Sequence, residues 1–336
     1  MRIGVKELSS QATAKVNPGV QAFLQDLKGK EIDHVFFVAC GGSSAIMYPS
    51  KYVFDRESKA ISSDLYSSNE FIQRNPVQLG GKSLVILCSH SGNTPETVKA
   101  ASFARSKGAL TIAMTFKPES PLAKAAQYAV QYDWGDEAPA INTNYGVLYQ
   151  IVFGTLQVLE NHPKFEQAID GLDKLQAVYD HALQKEAENA HQFAKNHQKE
   201  EVIYTMASGA NYGAAYSYSI CILMEMQWIH SQAIHAGEYF HGPFEIIDES
   251  VPFIILLGLD ETRPLEERAL AFSKRYGKKL TVLDAKDYDF AGISEAVKGY
   301  LAPLVLNRVL RMYADRLAEA RNHPLTTRRY MWKVEY

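Results

Sequence analysis

The chain has 336 residues, of which 46% are hydrophobic, and a formal net charge of −3 at pH 7. This length accommodates two ordinary domains or one large domain with a substantial core. The charge balance gives no support for nucleic-acid binding, which usually requires a basic surface, and no apolar stretch is long enough to span a bilayer. The N-terminus lacks the apolar core of a signal peptide, and the cysteines, Cys40, Cys88 and Cys221, are few and odd in number. We therefore expect reduced thiols and a cytoplasmic location.

Short apolar runs alternate with helical segments from about residue 35 onward. In the first half these runs are residues 35–39, 83–87, 110–114 and 129–132. Buried strands separated by amphipathic helices predict a parallel sheet covered on both faces. Such sheets bind ligands in the loops beyond the carboxyl ends of the strands. Trp134, which follows the last run, is predicted to lie in the core.

A second series of strands resembles the first. Residues 202–206, 251–257 and 280–284 follow their counterparts at an offset of about 170 residues, which indicates a tandem duplication. The alternative is that two unrelated α/β halves share the same rhythm. Between the halves, residues 164–198 are polar, with apolar positions at helical spacing, and are predicted to form connector helices.

Residues 88–97 read Cys-Ser-His-Ser-Gly-Asn-Thr-Pro-Glu-Thr and follow a predicted strand. Thr94 is a suitable N-cap and Pro95 suits the first helical position. Free N–H groups at a helix start, with the hydroxyls of Ser89, Ser91 and Thr94 around them, predict a phosphate site. The segment lacks the lysine and the glycine spacing of a P-loop, so a single phosphate on a small molecule is favoured over a nucleoside triphosphate. An ordinary polar loop is the alternative.

The corresponding loop of the second half differs in charge. It contains Asp260 and Glu261 where the first half has serines. Because carboxylates repel a phosphate, we expect the phosphate site in the first half alone.

Candidate catalytic residues lie in the second half. Glu225 is expected late in an apolar helix beginning near Asn211, where Met224, Met226 and a core Trp228 would desolvate it and raise its pKa toward that of a general base. His241 opens a His-Gly-Pro segment that can fix the orientation of an imidazole suited to proton transfer. The alternative for each is an ordinary surface residue, or a core residue whose hydrogen bonds are made within the fold.

Taken together, these motifs resemble the SIS (sugar isomerase) domain family. The motifs are Cys-Gly-Gly-Ser-Ser at 40–44, Ser-His-Ser-Gly-Asn-Thr at 89–94, and Glu225 followed by Gly-Glu-Tyr-Phe-His-Gly-Pro at 237–243. More narrowly, the chain resembles the isomerase half of glucosamine-6-phosphate synthase and the related fructosamine-6-phosphate deglycases, over nearly its whole length. The tail, residues 328–336, looks most like that of the deglycases.

The resemblance implies an α/β protein of two tandem SIS domains, each a three-layer α/β/α sandwich with a mainly parallel sheet. The implied boundaries are an N-terminal segment or helix at 1–30, SIS domain 1 at 31–165, connector helices and SIS domain 2 at 166–320, and a tail near the active site at 321–336.

The resemblance also implies the roles of individual residues. Glu225 would be the base acting at C1 and C2, and His241 would reach the site from a neighbouring subunit, which requires a homodimer or a larger homo-oligomer. No metal or cofactor is expected. The residues expected at the phosphate and the sugar are Gly42, Ser43, Ser89, Ser91, Thr94 and Asn142.

The expected activity is cleavage of a fructosamine 6-phosphate to glucose 6-phosphate and a free amine through an enaminol. One alternative is a glucosamine-6-phosphate isomerase or deaminase, and another is a sugar-phosphate-binding SIS regulator without catalysis. The synthase carries a lysine one turn before its glutamate, whereas this chain has Ile222 there. An imine formed through that lysine is therefore not expected.

Overall fold

The computed structural model of the protein describes residues 14–335. The first 13 residues of the predicted N-terminal segment, and Tyr336 of the predicted tail, lie outside these described residues. The described chain divides into two compact units. Unit 1 takes residues 14–176 and 292–297, and unit 2 takes residues 177–291 and 298–335.

Unit 1 contains a five-stranded sheet in which all neighbouring strands are parallel. Its order is β2-β1-β3-β4-β5. Strands β1, β3 and β4 are buried along their whole length, as expected for inner strands covered on both faces. The strands are β1 (His34–Ala39), β2 (Ser62–Ser67), β3 (Ser83–Cys88), β4 (Leu110–Thr115) and β5 (Tyr128–Gln131).

Unit 2 contains a four-stranded parallel sheet with the order β7-β6-β8-β9. The strands are β6 (Tyr204–Ala207), β7 (Ala233–His235), β8 (Phe253–Leu257) and β9 (Leu280–Asp284). The order of its four strands repeats that of the first four strands in unit 1. Corresponding strands begin 170 residues apart in three cases, namely His34 and Tyr204, Ser83 and Phe253, and Leu110 and Leu280. The regular offset agrees with the predicted duplication.

Eleven α-helices connect these strands within the described residues. They are α1 (Pro18–Leu27), α2 (Gly41–Ala45), α3 (Met47–Glu57), α4 (Ser68–Arg74), α5 (Pro95–Ser106), α6 (Pro121–Ala125), α7 (Asn144–Glu160), α8 (Phe165–His197), α9 (Tyr212–Tyr216), α10 (Arg263–Tyr276) and α11 (Glu295–Ala320). The polar region predicted as connector helices is the single helix α8.

Each sheet packs its apolar residues into a core of its own. In unit 1, Phe36 contacts Phe71, and the small side chains Ala100, Ala101 and Ala104 let α5 approach the sheet closely. In unit 2, Tyr239 packs against Phe272. The parallel α/β architecture predicted from the sequence is therefore confirmed.

The sequence prediction omitted the strands β2 and β7. Both are edge strands of their sheets, and the residues of β2 are half-buried or exposed. An edge strand that is open on one side lacks the continuous apolar run by which the inner strands were recognised.

The three cysteines are all free, as predicted, and Cys88 and Cys221 are buried. Within residues 14–335, none of the helices combines the length and the apolar character that crossing a membrane requires. The same residues hold no group of three or more histidine, cysteine, aspartate or glutamate side chains arranged to bind a metal ion.

Candidate active site

The serine loop, residues 89–94, joins β3 to α5 and is held together by its own hydroxyl groups. Ser89 is buried, and its hydroxyl shares a hydrogen bond of 2.8 Å with that of Thr94. The N–H of Gly92 donates to Oγ of Ser89, and the N–H of Asn93 donates to Oγ of Ser91, which is exposed. Ser89 and Thr94 are thus brought together, whereas Ser91 bonds to Asn93 at the exposed side of the loop, and the binding of a phosphate by these residues stays a prediction.

Thr94 differs from the prediction in one respect. It stands at the N-cap of α5, with Pro95 at the first helical position, but its side chain does not cap the helix. Its hydroxyl is bonded to Ser89 instead. The hydroxyl therefore shapes the loop, and the helix start relies on the backbone alone.

Gly92 lets the serine loop pass close to the segment that follows β4. Its φ is +65°, and a Cβ at this position would overlap the hydroxyl of Ser120. The carbonyl of Gly92 accepts a hydrogen bond from the N–H of Leu122 at 3.0 Å. Only glycine combines this left-handed backbone with so close an approach, so the path of the loop is fixed.

The second hydroxyl-rich loop follows β1 and begins with Gly41, whose φ is +54°. Ser43 lies in the short helix α2, and its hydroxyl and that of Tyr132 hydrogen-bond to the thiol of Cys88. Burial raises the pKa of Cys88 to about 12, so this sulfur is a neutral thiol at pH 7. It therefore adds no negative charge to this loop. Gly42, the other residue predicted here, is exposed.

These two loops flank the position at which the strand order of unit 1 reverses. β1 has β2 on one side and β3 on the other, and the loops leave the carboxyl ends of β1 and β3. In open parallel sheets, ligands bind at such a switch point. The geometry of unit 1 thus agrees with the predicted phosphate site.

Asn142 lies near the end of β5 in a short 3₁₀ turn. Its side-chain amide donates to the carboxylate of Asp133 at 3.1 Å. The next residue, Thr143, caps α7 by accepting from the N–H of Gly146. The structure therefore shows how Asn142 is held, and its contact with a sugar stays a prediction.

His90 is exposed within the serine loop but is engaged by aromatic neighbours. Its imidazole stacks on Phe116 at 5.2 Å, contacts Trp134 at 4.6 Å between ring centroids, and forms a hydrogen bond with the hydroxyl of Tyr132. Burial by these rings, followed by the charge of Lys117, lowers the pKa of His90. A neutral, stacked imidazole braces the loop.

Both tryptophans predicted for the core are exposed, which makes that prediction wrong. Trp134 is 58% exposed and Trp228 is 40% exposed. Each has a surface partner that accounts for its position, since Trp134 packs on His90 and Trp228 lies beneath the guanidinium of Arg329 at 4.3 Å. A ring with a polar partner on one face is stable at the surface.

In unit 2, Glu225 ends a widened helical segment. α9 continues into a π-helix at Ser217–Met224, and the N–H of Glu225 donates to the carbonyl of Ile220, five residues earlier. Such π-helical turns are rare and often occur at functional sites. The predicted regular helix is thus distorted at the residue predicted to be the base.

The carboxylate of Glu225 is half-buried and paired with Arg328. Nη2 of Arg328 lies 2.8 Å from Oε1 of Glu225. Burial raises the pKa of Glu225, as predicted, while the charge and hydrogen bond of Arg328 lower it. Met224 is 46% exposed, however, so the apolar residues expected around Glu225 do not all cover it. The ion pair with Arg328 joins residues far apart in the chain and has no local signal in the sequence.

His241 closes a short 3₁₀ turn, Tyr239–His241, and its side chain is exposed. Its N–H donates to the carbonyl of Glu238, and Gly242 follows with a φ of +136°. The turn presents the imidazole to solvent. Its role in proton transfer remains a prediction.

The switch point of unit 2 is occupied by a carboxylate of the chain itself. Glu266 is fully buried, and it accepts hydrogen bonds from the N–H groups of Ser208 and Gly258, which follow β6 and β8. Asp260 accepts from the N–H and the hydroxyl of Thr262. Glu266, which the sequence did not single out, and the predicted Asp260 therefore place carboxyl groups at this switch point, and the lack of a phosphate site here stays a prediction.

Comparison with known proteins identifies the family of the chain. Residues 30–156 match the family described as SIS domain. The chain is 86% identical to the fructosamine deglycase FrlB of Bacillus subtilis (strain 168), over 97% of this chain and 100% of that protein. The chain belongs to the SIS domain family. This SIS protein is also 31% identical to the fructoselysine 6-phosphate deglycase of Escherichia coli (strain K12), over 93% of its length and 89% of that enzyme.

A solved structure supports the same family assignment. A Bacillus subtilis protein described as a phosphosugar isomerase superposes on this SIS protein with a TM-score of 0.97 and is 86% identical to it, covering 98% of this chain and 100% of that one. The predicted family resemblance and the α/β fold class are thereby confirmed.

Proposed function

We propose that this protein is a deglycase that cleaves fructosamine 6-phosphates to glucose 6-phosphate and a free amine. The observation that carries the proposal is the 86% identity, over nearly the whole chain, to a fructosamine deglycase. The similarity to a fructoselysine 6-phosphate deglycase supports a phosphorylated substrate. The hydroxyl-rich switch point of unit 1 is chemically suited to bind that phosphate.

In this proposal the loops after β1 and β3 bind the phosphate group. Ser89, Ser91 and Thr94 supply hydroxyls from one loop, and Gly42 and Ser43 belong to the other. Anchoring the phosphate restricts the motion of the sugar, so that C1 and C2 are held in place for proton transfer. Asn142 is proposed to contact the sugar hydroxyls.

Glu225 is proposed to be the general base. After the sugar ring opens, its carboxylate takes a proton from C1, and the electron pair of that C–H bond forms the double bond between C1 and C2. The π pair of the C2 carbonyl moves to its oxygen, which takes a proton from water to complete the enaminol. The proton returns to C2, which gives an aldimine at C1, and water adds to the aldimine to release the amine and the aldehyde of glucose 6-phosphate. One carboxylate with a raised pKa can serve both proton transfers.

His241 is proposed to assist ring opening or proton delivery from a neighbouring subunit. Its exposed position in the 3₁₀ turn supports this role, because an exposed imidazole is available to a second chain. The proposal requires a homodimer or a larger homo-oligomer with shared active sites.

We further propose that unit 2 is a second SIS domain and that the protein is cytoplasmic. The strand order shared by the two sheets supports the first point. The three free cysteines support the second, because thiols persist in a reducing compartment.

The decisive experiment is a coupled assay of glucose 6-phosphate release from a panel of fructosamine 6-phosphates. The panel should include amino acids linked through the α-amine and through a side-chain amine, each with and without the phosphate. We expect turnover of phosphorylated members only. Glucosamine 6-phosphate, assayed for ammonia release, tests the isomerase or deaminase alternative.

Two variants serve as controls for this assay. Glu225→Gln should bind substrate with strongly reduced turnover. Glu249→Gln should behave as wild type, because Glu249 is exposed and its carboxylate lies 3.8 Å from Lys278. If the wild-type protein releases glucose 6-phosphate from no member of the panel yet binds them, the non-catalytic regulator is the correct interpretation.

A further inference from the structure

The C-terminal tail carries a guanidinium that is held rigidly beside the proposed base. The side chain of Arg328 is 9% exposed. Its Nη1 donates to the carbonyl oxygens of Leu325 and Thr327 at 2.8 and 2.9 Å, and its Nη2 contacts Oε1 of Glu225 at 2.8 Å. These lengths are typical of charge-assisted hydrogen bonds. The tail's own carbonyls therefore orient the guanidinium.

The tail also has internal contacts that keep Arg328 in place. Nζ of Lys333 donates to the carbonyl of Arg328 at 2.6 Å, and the guanidinium lies 5.4 Å from the ring centroid of Trp332. Because these contacts lie within residues 325–333, the segment can hold its shape whether or not Glu225 is present. The arginine is thus preorganised toward the carboxylate.

The ion pair engages one oxygen of the Glu225 carboxylate. The contact runs through Nη2 to Oε1, while Nε of Arg328 is buried and has no hydrogen-bond partner among residues 14–335. A single-point contact of this kind restricts the rotation of the carboxylate and involves one oxygen, so that Oε2 is available for proton transfer. A bidentate pair would engage both oxygens.

We infer that Arg328 is a positioning residue for the base, holding Oε1 of Glu225 so that the other oxygen takes the proton from the substrate. This inference rests on the proposed function. Two titratable or charged groups act on Glu225 within the described residues, namely Arg328 and the thiol of Cys221. Burial raises the pKa of Cys221 to about 12, so the thiol is neutral at pH 7 and Arg328 provides the charge that faces the carboxylate.

Loss of the Arg328 charge should shift the pKa of Glu225 in a definite direction. An arginine stays protonated at every pH at which the enzyme is assayed. It favours the ionised form of Glu225, and burial opposes that form. Without Arg328 the carboxylate should therefore bind its proton more tightly, and a base that must be deprotonated should become active only at higher pH.

The experiment compares Arg328→Gln, Arg328→Lys and Arg329→Gln with wild type. Arg329 is the matched control, because it is the adjacent arginine and its guanidinium stacks on Trp228. For Arg328→Gln we expect kcat to fall on the order of 10²-fold with KM changed by less than about threefold, because the loss is one of orientation at the reacting carbon. The acidic limb of its pH–rate profile should move to higher pH.

The two other variants separate charge from position. Arg328→Lys keeps the positive charge but lacks the planar guanidinium. The acidic limb of its pH–rate profile should therefore return toward that of wild type, while its kcat stays below the wild-type value. Arg329→Gln should leave the limb unmoved. An acidic limb that is the same in Arg328→Gln and wild type would overturn the inference, as would an equal effect of Arg329→Gln.

A second measurement does not depend on turnover. The carboxyl groups of ¹³C-labelled glutamate can be titrated by NMR, and the signal absent from Glu225→Gln identifies Glu225. Its titration should lie at higher pH in Arg328→Gln than in wild type, and an unchanged titration would refute the ion pair's effect on the base. If the wild-type protein turns over no fructosamine 6-phosphate, the proposed function fails while this titration still decides the influence of Arg328.

Discussion

The buried carboxylate of Glu266 should make unit 2 less stable as the pH rises through neutrality. Its oxygens accept from Ser208 N–H at 2.9 Å and Gly258 N–H at 2.7 Å. Burial raises the pKa of Glu266 from 4.5 to about 7, and the nearby Asp260 adds to the rise, although the two backbone donors oppose it. The folded protein therefore binds this proton more tightly than the unfolded chain does.

The size of the effect follows from the difference between the two pKa values. Between about pH 4.5 and pH 7 the folded state holds a proton that the unfolded state has released, so the free energy of unfolding decreases as the pH rises. The stabilisation is fully present below pH 4.5 and is lost as the pH rises through 7. At 1.36 kcal/mol per pKa unit, the loss is about 3 kcal/mol.

The assay is thermal unfolding at about pH 5 and about pH 8, comparing wild type with Glu266→Gln. The glutamine cannot ionise, so the wild type should lose about 3 kcal/mol more than the variant between these pH values, equivalent to about 6–12 °C in Tm for a unit of this size. Glu267→Gln is the control, because it alters the next residue of the same helix, an exposed partner of Arg263. Parallel pH dependence in wild type and Glu266→Gln would refute the reasoning.

Three further predictions concern the proposed reaction. Glu225→Gln should keep the fold and phosphate binding but lower kcat on the order of 10²- to 10⁴-fold, as expected for the loss of a general base. Near-normal turnover in steady-state kinetics would exclude Glu225 from the mechanism. Replacing Ser89 and Ser91 together by alanine should mainly raise KM for the phosphorylated substrate, because the proposed contacts of these hydroxyls with the phosphate exist before and during the reaction. An unchanged KM would count against the serine loop as the phosphate-binding loop. Mixing inactive Glu225→Gln and His241→Ala subunits should restore about a quarter of the wild-type activity in a dimer with shared sites, because half of the dimers are mixed and each of these has one intact site of two. If subunit exchange is confirmed and no activity returns, the contribution of a second chain is contradicted.

The local sequence pattern was sufficient to predict the inner strands and the serine loop, whose structure depends mainly on neighbouring residues. Continuous apolar runs such as 83–87 identified the inner strands, since a strand covered on both faces has no polar alternation. The hydroxyls of the serine loop predict a phosphate site, which stays a prediction, and the hydrogen bonds of Ser89 with Gly92 and Thr94 join residues that are close in the chain. Glu225 and His241 were recognised through family resemblance rather than through local physics.

Contacts between distant residues were beyond the reach of the sequence. In the sequence Arg328 is one of several basic residues near the C-terminus, and its pairing with Glu225 depends on how the tail packs within unit 2. Glu266 lies early in an amphipathic helix, where an acidic residue is usually explained by the helix dipole. Its burial at the switch point follows only from the approach of the ends of β6 and β8.

The amino-acid sequence by itself determined the parallel α/β architecture and the common spacing of strands in the two halves, because these depend on periodicity. It also determined the serine loop, because that depends on short-range hydrogen bonds. The tertiary structure decided which charges meet, since the pKa of Glu225 and that of Glu266 depend on burial and on partners that are distant in the chain. It also decided that Trp134 and Trp228 lie at the surface, because side-chain burial is set by what packs against a residue and not by its hydrophobicity alone.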